Sequence, residues 1–144
     1  MILDLQTRLS SAQAFTATAA TTNHYDSGGA FNLDRGEPMA MVINVGVAAD
    51  FTTGDETYSF AVQTDSATGF GTVQTLVTQA ILAAALTAGS QHVIPLPSGC
   101  LQFVRGLATL AGTTPSVTCD IDILPLSMAH DDATIHYASG SAIS

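Results

Sequence analysis

The sequence predicts an all-β sandwich or barrel, and three observations carry that prediction. Apolar residues recur with period two, turn-forming clusters punctuate the chain at short intervals, and no segment holds a helical period for more than about two turns. The 144 residues suit one domain, and a domain of this size buries roughly 68–70% of its unfolded surface. It is held together by its own core rather than by staples.

The elements follow in order. A first strand is read over 14–20, "AFTATAA". In "MAMVINVGV" (39–47) the odd positions Met39, Met41, Ile43, Val45 and Val47 are all apolar, which gives a strand with one strongly buried face. In "TYSFAVQT" (57–64), Tyr58, Phe60 and Val62 oppose Thr57, Ser59, Ala61 and Gln63. In "SVTCDIDIL" (116–124), Val117, Cys119, Ile121 and Ile123 oppose Ser116, Thr118, Asp120 and Asp122. Both are half-buried antiparallel strands. Weaker strands are read at 73–79, 91–96 and 101–110, with turns at "SGG", "LDRGEP", "TTGDE", "TGFG", "PSG" and "AGTTP". "AILAAALTAG" (80–89) is alanine-rich and ends in Gly89, so it reads as a short helix or as an irregular strand and corner, the corner being preferred. Residues 101–110 are apolar on both sides, with Arg105 on the side of Leu101, Phe103 and Leu107. Such a strand is covered on both faces, or else Arg105 sits near a strand end with its head in solvent.

Charge excludes several functions. Twelve acids stand against three arginines, there is no lysine, and the net charge is −9. Nucleic acid and anionic membranes are both disfavoured partners, because phosphate binding needs clustered bases. Charged residues make up only 10% of the chain, and a weakly charged exterior is compatible with faces covered by other protein. The opening "MILDLQTRLSSAQAF" has no basic region and no apolar run of signal-peptide length, and no run reaches a bilayer span. Cys100 and Cys119 read as two free thiols, with Cys119 a small core residue.

Constellations for chemistry are sparse, and no catalytic residue is predicted. "HDDATIH" places His130, Asp131, Asp132 and His136 close together, but in a polar tail that would not hold metal geometry; a solvated tail is the preferred reading and no cofactor is expected. His24 and His92 are isolated, His92 reading as an imidazole with a satisfied hydrogen bond. Asp120 and Asp122, about 7 Å apart on one strand face, read as solubilising charges. In "DSATGFGTV" two glycines bracket Phe70 and no helix follows, so the loop turns the chain rather than cradling phosphate.

Nine short signals, in order, carry a resemblance: "MILD", "SSAQA", "TATAATTN", "YDSGG", "GEPM", "QTD", "LTAG", "PLPSG" and "FVR". Over residues 1–124 the chain resembles the jelly-roll capsid cement proteins of tailed bacteriophages. The resemblance implies an antiparallel jelly roll of about eight strands at 1–124, followed by an irregular C-terminal extension at 125–144. It also implies a homodimer that sits on the outside of the expanded icosahedral shell, clamps neighbouring major capsid subunits, and has no enzymatic role. The protein would be made in the bacterial cytoplasm and reside on the virion. The alternative is a glycan-binding jelly-roll adhesion module, which would want exposed aromatics; only Phe31, Phe51 and Phe70 stand in loop-like positions and there is no tryptophan. A cupin-like enzyme is the least favoured, since His92 alone lies on a strand. Expected contacts to other protein are Phe31, Arg35, Phe70, Arg105, Leu126 and Tyr137, with Phe70 held out between its glycines.

Overall fold

The computed structural model describes residues 8–27, 29 and 38–125. Its strands are β1 (Arg8–Phe15), β2 (Ala19–Ala20), β3 (Tyr25–Asp26), β4 (Met39–Val47), β5 (Thr57–Asp65), β6 (Gln74–Ile81), β7 (Gln91–Pro95), β8 (Phe103–Ala111) and β9 (Val117–Pro125). One sheet runs β1-β9-β4-β7 and the other β2-β8-β5-β6, with β3 also pairing β8. Every pairing is antiparallel. Strands remote in sequence are neighbours, β1 beside β9 and β2 beside β8, which is the order of a jelly roll. The predicted antiparallel sandwich of about eight strands is therefore the fold, with β3 as a short addition.

The core lies between the sheets and is built by alternation. Met41, Ile43 and Val45 of β4 and Val117, Cys119, Ile121 and Ile123 of β9, from one sheet, share a single cluster with Tyr58, Phe60 and Val62 of β5 and Val104, Ala108 and Leu110 of β8, from the other. Each large aliphatic or aromatic side chain buried this fully stabilises the fold by about 1.5–3 kcal/mol. Gly106 on β8 permits the close approach of the sheets: a Cβ there would stand 2.9 Å from the Met41 sulfur. Ala40 and Val42, on the outward face of β4, are also buried, Val42 clustering with Leu124 and Val93.

Two expectations are corrected, and the preferred reading of a third segment holds. The first strand spans Arg8–Phe15 rather than 14–20; Thr16 to Thr18 carry the chain across to the other sheet, where Ala19–Ala20 pair with β8. Bulges between Arg8 and Ser10 and between Ser10 and Gln13, with Ala12 at φ 46°, break the period-two signal that would have marked β1. Asp122 is not a solubilising charge. It is 1% exposed, and its carboxylate accepts from Arg8 Nε at 3.0 Å and Nη2 at 3.4 Å across the β1–β9 pair. The alanine-rich segment resolves as the corner: β6 runs on to Ile81, Ala83–Ala85 form a single 3-10 turn, and Leu86 plugs the core.

Strand β8 resolves the question of its two faces. Val104, Gly106, Ala108 and Leu110 point inward, and Phe103, Arg105 and Leu107 are half-buried on the outside. Cys100 and Cys119 are not joined in a disulfide, as expected, and both are buried; burial pushes the Cys119 thiol up to about 12, with the Asp120 charge adding to the effect. Among the described residues no helix is long and apolar enough to cross a membrane.

Candidate functional site

The strand directions gather the loops at two ends of the sandwich. One end holds the β5–β6 hairpin and the β7–β8 connection, and it brings together two of the predicted contact residues. Asp65 closes β5 by accepting the backbone N–H groups of Thr72 (2.8 Å), Ser66 (2.6 Å) and Ala67 (3.3 Å), which sets the hairpin. Those donors, Thr72 foremost, outweigh the opposing effect of burial and hold its carboxyl below the ordinary carboxylate range. Phe70 then turns through φ 49° and lays its ring back onto the sheet. The expectation that Phe70 is held out is corrected: the ring is 8% exposed.

Arg105 covers it. The guanidinium carbon lies 4.3 Å from the Phe70 centroid, and Arg105 Nε donates to Gln63 Oε1 at 2.9 Å. His24 stands edge-on to both Phe70 and Phe103, at 6.0 and 5.3 Å between centroids. Glycines on either side of an aromatic suggest display, but apolar area removed from water outweighs the cost of a left-handed backbone. Phe31, Arg35, Leu126 and Tyr137 lie outside the described residues, as do His130, Asp131, Asp132 and His136.

The other end is formed by 48–56, 82–90 and 112–116, and its loops are fastened to the sandwich by buried polar groups. Tyr58, 2% exposed, donates its hydroxyl to the Asp50 carbonyl (2.5 Å) and accepts from the Ser116 N–H (3.1 Å). Asp50 N–H in turn donates to the Ser116 carbonyl and Ala49 N–H to that of Leu86. Glu56, 7% exposed, accepts the Gly54 N–H at 3.1 Å and the Thr53 hydroxyl. Asp55 accepts the Thr113 N–H and hydroxyl at 3.1 and 2.9 Å, tying the β4–β5 loop to the β8–β9 loop. Gly112 makes that junction possible at φ 101°, since a Cβ there would sit 2.4 Å from the Asp55 carbonyl oxygen. The Thr52 hydroxyl holds the Asp50 carboxyl below its ordinary value, and the Thr53 hydroxyl followed by Thr113 does the same for Asp55.

From this fixed frame the chain displays apolar side chains to solvent: Val47 is 61% exposed, Phe51 53% and Leu82 80%. Two shallow depressions adjoin them, of about 200 Å³ beside Ala49–Thr52 and about 160 Å³ between Glu56–Tyr58 and Ala80–Ala83. Both are smaller than the 300 Å³ or so at which small-molecule pockets begin. They suit the knobs and hollows of a protein surface better than a ligand. Phe51 was legible in the sequence as a loop aromatic; Leu82 was not, because it follows directly on β6 in the alanine-rich segment, where no period marks an inward or outward face. His92 behaves as expected, its Nε2 lying 3.1 Å from the Ala85 carbonyl and 3.3 Å from the Ser90 hydroxyl. Among the described residues no three His, Cys, Asp or Glu side chains converge as a metal site.

No curated protein matches the chain. A family model, Bbp16, matches residues 9–123, which runs from within β1 to within β9 and takes in the whole sandwich between them. The chain belongs to the Bbp16 family, a phage-related family.

Proposed function

We propose that this protein is a capsid cement protein, a structural component of a phage particle that binds the outside of the expanded icosahedral shell and clamps adjacent major capsid subunits. The observation that carries the reading is the use the molecule makes of its buried polar groups. Glu56, Tyr58, Asp65 and Asp122 are each spent on fastening a loop or a strand pair, so the fold invests its titratable groups in a rigid frame rather than in a reactive centre. A clamp needs such a frame, and its affinity is multiplied over many copies on one particle. Membership of a phage-related family supports the same reading.

The cement reading includes a second copy of the chain as partner. Residues 66–104 contain no Asp, Glu, Lys or Arg, and they supply β6 and β7, the edge strands on one flank of the sandwich. Two chains of charge −9 approach at least cost through a flank without charge. Light scattering of the purified protein checks this: a homodimer is expected, and Thr78→Lys on exposed β6 is expected to yield a monomer.

The decisive experiment mixes the purified protein with expanded, undecorated shells and, in parallel, with a glycan array. Saturable shell binding is expected. Glycan binding with none to shells would establish the adhesion-module alternative instead.

A further inference from the structure

The loop end built from 48–56, 82–90 and 112–116 has three properties that belong together in a contact surface. Its apolar residues are out in water: Val47, Phe51 and Leu82 are three of the four large hydrophobics exposed among the described residues, the fourth being Val73 at the opposite end. Apolar side chains exposed together at one end of a sandwich mark a site that another protein covers. Its backbone is already fixed by Tyr58, Glu56, Asp55 and Gly112, so little conformational freedom remains to be lost on binding. Its charge is of one sign. Asp50 and Asp55 stand at this end with carboxyls held below their ordinary value by the Thr52 and Thr53 hydroxyls, while the described arginines are engaged elsewhere, Arg8 with Asp122 and Arg105 over Phe70.

We infer that this end is the surface by which the protein seats on the shell, and that the shell offers there an apolar depression edged by lysine or arginine. The assignment rests on the cement reading. An apolar centre with an anionic rim is complementary to that chemistry: Phe51 and Leu82 supply the desolvated anchors, and Asp50 and Asp55 set orientation and speed encounter. A second copy of the chain is a poor occupant. A two-fold contact through this end would bring Asp50 and Asp55 towards the same carboxylates of the other copy, with no arginine or lysine among the described residues of this end to offset them.

The test measures binding of the full chain to expanded shells of its major capsid protein by co-sedimentation, at low and high salt. Phe51→Ser and Leu82→Ser alter exposed side chains, so their thermal unfolding should match that of the parent. Each is expected to weaken shell binding by about tenfold and the pair by about a hundredfold. Asp50→Asn is expected to reduce the salt dependence of binding. Val73→Ser, at the opposite end, is expected to leave affinity within about twofold, as substitutions away from a contact do. Undiminished binding by the folded double variant overturns the assignment while leaving the cement reading intact. Failure of the parent itself to bind shells removes both. A dimer that becomes monomeric on Phe51→Ser overturns the assignment in favour of a second copy at this end.

Discussion

Replacing Phe70 by alanine is expected to destabilise the fold by about 3 kcal/mol, although position 70 lies in a glycine-flanked hairpin loop. A Phe→Ala change in a closed core costs about 3–5 kcal/mol. The Phe70 ring is 8% exposed and its site, being a loop, partly collapses when emptied, which places the transfer contribution near 2–3 kcal/mol. Loss of the Arg105 guanidinium contact at 4.3 Å adds about 0.5–1 kcal/mol. The left-handed backbone at φ 49° burdens phenylalanine and alanine alike and cancels between them. Glycine relieves it, so Phe70→Gly is expected to lose about 1 kcal/mol less than Phe70→Ala. Urea unfolding followed by far-UV circular dichroism reads both, with the alanine midpoint lower by about 1–2 M at an m-value near 2 kcal/mol/M. An alanine variant within about 0.5 kcal/mol of the parent, or a glycine variant less stable than the alanine one, would refute the reasoning.

Other consequences are equally direct. Tyr58→Phe removes the hydroxyl shared by Asp50 and Ser116, leaves both backbone groups short of a partner, and is expected to cost about 1–3 kcal/mol in the same unfolding assay. With Cys119 raised to about 12 and Cys100 buried, Ellman's reagent at about pH 8 should find no thiol in the native protein and both in denaturant; a thiol that reacts at once in the native state contradicts the burial of the pair. Because the Asp65 carboxyl titrates below its ordinary value of 3.8 in the folded protein, its contribution to stability is fully present above that value and is lost as pH falls through the lower, folded-state value. Asp65→Asn is therefore expected to flatten the acid limb of a stability-against-pH curve, and an unchanged limb would show that the hairpin does not depend on the charge.

Much of the fold was legible because β4, β5 and β9 each present one face to the core, so burial writes a period-two pattern into the local sequence. Strand β1 escaped notice because its bulges at Ser10 and Ala12 shift the alternation, and β2 because two residues carry no period at all. Of the candidate contacts, the meeting of Phe70 and Arg105 was not legible. They are far apart in sequence and are joined only when β5 pairs with β8 and the β5–β6 hairpin folds back over that pair.

By itself the sequence determined the class of the molecule, its acidic and lysine-free character, the inward residues of the central strands and the burial of Cys119. These follow from composition and from nearest neighbours along the chain. Tertiary structure alone decided that Asp122 is buried against Arg8, that Phe70 turns in while Phe51 and Leu82 turn out, and that three separate loops share one end. The physical reason is that exposure is a property of what packs upon a residue. In a jelly roll the packing partner comes from the far end of the chain.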